Sequence, residues 1–169
     1  MRNTGWQRTW VRALTTALTV GMMVLIFCFS MEPAERSDRT SGQISEAVVH
    51  AVYRDYDRMP VQEQHSIFNS VQHIVRKAAH FTEYTVLGLL LRLCLLSWFG
   101  RRKGIPFLAW GIGALYACTD ELHQMLIDGR SGQWTDVLLD SCGVLTGVLI
   151  AMAVLALVRR KTEGGRTVP

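Results

Sequence analysis

Four apolar stretches, over 13–30, 78–99, 105–126 and 137–158, stand apart from the polar remainder of this chain. Each is close to the ~20 residues that a helix needs to cross a hydrocarbon layer ~30 Å thick. A length of 169 residues would suit one medium soluble domain, but here the 49% of hydrophobic residues are gathered into blocks. The pattern predicts an all-α polytopic membrane protein with four transmembrane helices, in one domain over 1–169. An outer segment over 31–75 joins the first two spans, and a cytoplasmic tail follows over 161–169.

Charge placement supports the even number of crossings. Arg2, Arg8 and Arg12 precede the first stretch, Arg101, Arg102 and Lys103 join the second to the third, and Arg159, Arg160 and Lys161 follow the fourth. Basic residues near span ends stay in the cytoplasm, and four crossings put all three clusters on that side together with both termini. Asp120, Glu121 and His123 interrupt the far end of the third stretch, which makes three spans the competing arrangement, but three would split the basic clusters across the membrane. The first stretch has the basic flank of a signal peptide. It lacks a small-x-small site before Met31, Glu32 and Pro33, so an uncleaved span is the preferred reading.

The net charge of +4 is thus a topology signal, and with no basic stripe interleaved with aromatics no nucleic-acid partner is expected. Cys28, Cys94, Cys118 and Cys142 all fall within proposed spans and read as small hydrophobes. Trp6, Trp10, Trp98 and Trp134 sit near span ends as interfacial anchors do, whereas Trp110 falls about a turn inside the third span.

In the outer segment, Pro33 and Gly42 argue for a loop or short helical turns. Ile44, Val48, Ala51 and Val52 then recur at helical spacing, predicting an amphipathic helix on the interface or bundle top that Pro60 ends or interrupts. A second helical pattern through Ile67, Phe68, Val71, Ile74, Val75 and Ala78 meets no breaker before the second span, so the two read as one helix. Nothing repeats at a fixed period.

Ionisable residues at the span ends are the candidates for chemistry, because such groups at membrane depth are tolerated mainly where they pair, bind or line a wet cavity. Arg76, His80 and Tyr84 are four apart and Glu83 is three beyond His80, so all four can share one helical face. That spacing lets His80 share a proton or a ligand with Glu83. Asp120, His123 and Gln124 share a face of the third span, with Glu121 about a third of a turn away. Gly129, Arg130, Ser131 and Gly132 make a tight turn, and Arg130 is the one basic residue between the third and fourth spans, a candidate clamp for phosphate or carboxylate. Thr135 is placed to cap the fourth span. Asp136, Asp140, Gly143 and Gly147 then form one stripe, in which the glycines admit a neighbouring helix and Asp140 needs a partner among Arg76, Arg130, His80 and His123. There is no His-Glu-x-x-His and no Gly-x-Ser-x-Gly. No metal site and no cofactor are assigned.

The blocks 76–84 with Leu87 and Gly88, 116–124, Gly129-Arg130-Ser131 and 136–147 closely resemble the VanZ-like membrane proteins, the teicoplanin-resistance family. Phe27, Cys28, Phe29 and Ser30, with Ser37 and Ser41, are similar to that family's first span and serine-containing outer segment, so the likeness runs from about Val20 to Val158. Met31 stands where a second serine often follows, and Asp128 where a proline is often found. The resemblance implies a multi-pass protein of the bacterial cytoplasmic membrane, active in the cell envelope. Its expected partner is a membrane lipid, a lipid-linked envelope intermediate or the acyl tail of a glycopeptide antibiotic, bound at the outer face. In that reading Arg76 and Arg130 clamp an anionic headgroup, with His80 and Glu83 facing Asp120 and His123 around it. Tyr84, Glu121 and Gln124 complete the ligand set, and Asp136 and Asp140 orient the basic groups. The enzymatic alternative is a membrane hydrolase or transferase on a lipid or lipid-linked substrate, with His80, Glu83, Asp120 and His123 as catalytic candidates. Transport is less favoured, since four spans without an internal repeat are too few for alternating access in one monomer. Oligomeric state is left open.

Overall fold

The computed structural model describes residues 5–127 and 132–164, so Arg2, Asp128, Gly129, Arg130 and Ser131 lie outside the described residues. The elements are α1 (Gly5–Ser30), α2 (Ala34–Val52), a 3-10 turn (Tyr56–Arg58), α3 (Val61–Phe99), α4 (Ile105–Gln124) and α5 (Trp134–Gly164). Among the described residues three helices are long and apolar enough to cross a membrane, within Arg8–Ser30, Val61–Phe99 and Trp134–Thr162. α4 falls short of that because Asp120 and Glu121 lie in its last turns.

α4 nevertheless runs between the same two ends of the bundle as the other three. At one end Ser30, which closes α1, hydrogen-bonds Asp120 of α4, and Lys77 of α3 pairs with Asp136 at the start of α5. At the other, Arg12 Nε of α1 donates to the Ser97 carbonyl of α3 at 3.1 Å, and a cleft gathers Arg101, Arg102 and Lys103 with Arg159 and Arg160. α1, α3, α4 and α5 therefore pass alternately from one end to the other. The outward side of α4 is apolar, with Phe107 76% and Leu115 67% exposed, and α1 and α5 expose Leu14, Leu18, Leu149 and Leu157 in the same way. Apolar surface on this scale is far beyond what a soluble monomer shows to water.

Close packing in the middle comes from small residues. A Cβ on Gly143 would lie 2.7 Å from the Phe81 carbonyl, and one on Gly147 or Gly88 would strike the backbone of Thr85 or Val144, so α3 and α5 touch through their main chains. Without a hydrophobic drive between helices in lipid, such approach is what supplies dispersion contact and holds the pair. Val144 then projects toward Gly113 of α4 and joins Ile26, Tyr84, Leu87, Leu91, Ala117 and Val148 in the core.

The structure departs from the sequence-based expectations at helix ends. α2 begins at Ala34 and runs unbroken through Gly42, where the sequence argues for a loop or short helical turns, and it ends at Val52, well before Pro60. Pro33 and Pro60 each stand immediately before a helix, where a missing amide hydrogen costs nothing, and the Pro60 carbonyl accepts from the amides of Glu63 and Gln64. α2 meets the rest of the fold through buried Ser41, Ser45 and Val49, with Val48 and Val52 turned outward. Thr135 lies inside the first turn of α5 rather than capping it, and its hydroxyl donates to Gln133 Oε1 at 3.4 Å. α5 continues through Lys161 to Gly164, so the expected tail starts as helix. Trp110 also finds its place, donating Nε1 to the Ser141 carbonyl of α5 at 3.1 Å.

Candidate functional site

The end of α3 nearer its N-terminus carries Arg76, His80 and Glu83 on one face, as the spacing predicts, and α2 lies across it. Between them is a pocket of about 210 Å³. Arg76, His80, Glu83 and Glu32 supply its ionisable groups, Ser30, Thr40 and Ser41 its hydroxyls, and Phe29, Ile44 and Val75 its apolar wall. Arg76 is tethered by Asp38 of α2, whose carboxylate accepts from Nη1 at 3.1 Å, and Gln72 Nε2 donates to the Asp38 carbonyl at 2.9 Å. α2 is thus fastened over the site by polar bonds from two turns of α3.

Beneath the pocket, Asp120 is 4% exposed and saturated by donors. Its Oδ1 accepts from Ser30 Oγ at 2.5 Å, and its Oδ2 from the Tyr84 hydroxyl at 3.0 Å and Gln124 Nε2 at 3.2 Å. Gln124 Nε2 also donates to Ser30 Oγ at 3.2 Å. One carboxylate therefore ties α1, α3 and α4 together, and through Ser30 it borders the pocket. A buried carboxylate with several directed donors is a rigid, high-stakes feature, since each lost donor leaves part of its charge unsatisfied.

Asp140 of α5 lies behind His80. It is 2% exposed, its Oδ2 is 3.9 Å from His80 Nδ1, and its Oδ1 has no hydrogen-bond partner among the described residues. Glu83, Asp120, Glu121 and Asp136 are all within electrostatic reach of it. The neighbouring turn of α5 is held by the Lys77–Asp136 ion pair. Glu121 faces the other way, accepting the Gln133 backbone amide at 2.5 Å and so anchoring the entry to α5.

Three elements of the sequence-based site thus meet: His80 with Asp140, Tyr84 with Asp120 and Gln124, and Arg76 with His80 and Glu83 around one pocket. His123 is not among the pocket-lining residues. Its ring stacks on Phe27 of α1 at 4.9 Å between centroids, because Phe27 projects from α1 toward the turn of α4 that carries it. Among the described residues no group of three His, Cys, Asp or Glu side chains is placed to share one metal ion. Arg130 is outside the described residues. The partners that spacing alone did not single out are Lys77, Asp38, Gln72 and Gln133. Lys77 carried a usable signal, a second cation in the same turn as Arg76 but about 100° around the helix, facing the start of α5.

An alternating bundle with apolar outward faces and a polar pocket at one end defines an all-helical membrane protein. Residues 15–157, most of the chain, match the VanZ/LLP1 family, and the protein belongs to it. No match is found among curated proteins or among solved structures.

Proposed function

We propose that this VanZ/LLP1 protein is a four-span envelope protein that holds an amphiphilic anionic or lipid-linked ligand at the outer membrane face. The observation that carries the reading is the pocket under α2, which Arg76, His80, Glu83 and Glu32 line together with Phe29, Ile44 and Val75. A ligand with a charged head and an apolar tail matches both walls, and few precisely placed polar groups in an apolar setting are what orient such a molecule. Arg76 clamps the anionic head, Ser30 and Ser41 supply hydroxyls, and His80 and Glu83 exchange or share a proton at its edge. Asp140 orients His80 from behind. Glu121 and Asp136 lie at the same end of the bundle, held by the Gln133 amide and by Lys77.

The gathering of all three basic clusters at the opposite end supports four crossings with both termini in the cytoplasm, since an odd number would separate them. α4 then crosses with Asp120 buried against Ser30, Tyr84 and Gln124, and with Glu121 accepting the Gln133 amide, rather than with either carboxylate exposed to lipid. Cysteine-accessibility mapping checks this directly: substitutions at His80 and Asp136 label from outside, and labelling of the two from opposite sides would overturn the topology.

His80 backed by a buried carboxylate also favours a second reading, a membrane hydrolase or transferase in which His80 is the general base. Their 3.9 Å separation is longer than a hydrogen bond, and such contacts often tighten only with substrate in place. To test ligand binding itself, a photoreactive residue at Ile44 is crosslinked in living cells and the adduct identified by mass. The expected adduct is an anionic or lipid-linked amphiphile enriched over a control probe at lipid-facing Leu115. The same phospholipid mixture at both positions would refute the pocket as a binding site.

A further inference from the structure

The opposite end of the bundle holds an open cleft of about 490 Å³ lined by Arg92, Arg101, Arg102, Lys103, Arg159 and Arg160. No acidic side chain lines it among the described residues. Arg92 is the telling member. It is 7% exposed, and its Nε and Nη1 are buried without a hydrogen-bond partner among the described residues. It lies seven residues before Phe99, the last residue of α3, which is roughly 10 Å of helix inward from that end. A guanidinium at such depth costs several kcal/mol unless it is paired or hydrated, and long basic side chains normally escape by reaching back to water. Arg92 reaches the cleft only in part: its Nε and Nη1 are enclosed, and the charged groups that line the cleft with it are further cations. The unmet requirement is an anion that enters from the rim and reaches the floor.

We propose that this cleft binds the phosphate headgroup of an anionic phospholipid from the leaflet at that end of the bundle. Arg92 is the deep contact, and the Arg101–Lys103 loop and Arg160 close over the headgroup from the rim. A phosphate offers several acceptor oxygens to guanidinium forks, which a chloride ion cannot. Met152, Leu155 and Ala156 of α5 form the adjoining wall, so the ligand meets apolar surface beside the charge, as a lipid carrying acyl chains requires. Basic pockets between membrane helices recognise lipid headgroups in this manner. The site is separate from the pocket beneath α2, and neither depends on the other being occupied.

The test is native mass spectrometry of the protein released from nanodiscs containing equal phosphatidylglycerol and phosphatidylcholine. Wild type retains phosphatidylglycerol selectively. Arg102→Gln with Arg160→Gln lowers that selectivity about fivefold for each cation removed, taking about 1 kcal/mol per basic residue near the surface. Arg92→Gln abolishes it, and because the change removes an unpaired buried charge, the variant melts no lower than wild type in phosphatidylcholine alone. If Arg92→Gln fails to fold, the rim variant reads the same selectivity. Arg8→Gln removes an exposed charge outside the cleft and leaves the selectivity unchanged. Equal selectivity in wild type and rim variant would overturn the proposal, and a loss in Arg8→Gln as large as that per cation in the rim variant would overturn it in favour of general surface attraction. Displacement of the bound lipid by excess inorganic phosphate would overturn the lipid assignment in favour of a soluble phosphate.

Discussion

Tyr84→Phe removes one oxygen from the centre of this protein and changes no shape. The Tyr84 ring is fully enclosed, and its hydroxyl serves a single carboxylate oxygen, Asp120 Oδ2, at 3.0 Å. In soluble proteins a hydrogen bond to a charged group is worth about 1.5–3 kcal/mol, whereas polar contacts between membrane helices average about 0.6 and reach about 1.7 kcal/mol. Asp120 keeps Ser30 and Gln124 as donors after the change, which argues for less than the soluble figure. Its burial argues for more than the membrane average, because the abandoned oxygen gains no water. The expected destabilisation is about 1–2 kcal/mol, a factor of roughly 5–30 in the folded-to-unfolded ratio. Equilibrium unfolding in mixed micelles with increasing denaturing detergent measures it, in a cycle of Tyr84→Phe, Asp120→Ala and the double variant. A coupling of about 1 kcal/mol or more is expected. Additive effects, with coupling under about 0.3 kcal/mol, would show that the hydroxyl does not fasten α3 to α4 and would refute the clasp.

Gly147→Leu drives a side chain into the α3 backbone at Thr85 and Leu89, so its cost lies at or above the upper end of the ~1–3 kcal/mol typical of overpacking; Gly21→Ala, inside α1 with open space around it, does not lower the unfolding midpoint. Equal effects of the two substitutions would contradict the α3–α5 contact. Asp140→Asn keeps shape but replaces the carboxyl group behind His80, so crosslinking of the amphiphile at Ile44 falls sharply while membrane abundance, read by quantitative immunoblot, stays at the wild-type level. Abundance falling in parallel with crosslinking would reassign Asp140 to folding.

How much of this was legible in the residues depends on the range of the interaction. The helical segments, the continuity of the outer pattern into the second span, and the glycine stripe of α5 follow from local composition and from a 3.6-residue period. Arg76, His80, Tyr84 and Glu83 share a face for the same reason. The ends of α2 and α5 were misread where a proline or a threonine allows two local outcomes. Pro33 and Pro60 are equally compatible with a loop and with the residue before a helix, and packing through Ser41 and Ser45 onto α3 decided for helix.

From its sequence alone this chain is bound to be helical, apolar on its outside and polar at its span ends, because backbone and side-chain solvation in lipid admit little else. Which polar groups meet is a different kind of fact. Ser30 reaches Asp120, Lys77 takes Asp136, and His123 turns to Phe27 instead of His80, each through the rotation and depth of helices distant in the chain. Periodicity sets the face of one helix but not its azimuth against another; contacts such as Gly147 on Thr85 and Gly88 on Val144 set that, and only the folded bundle contains them.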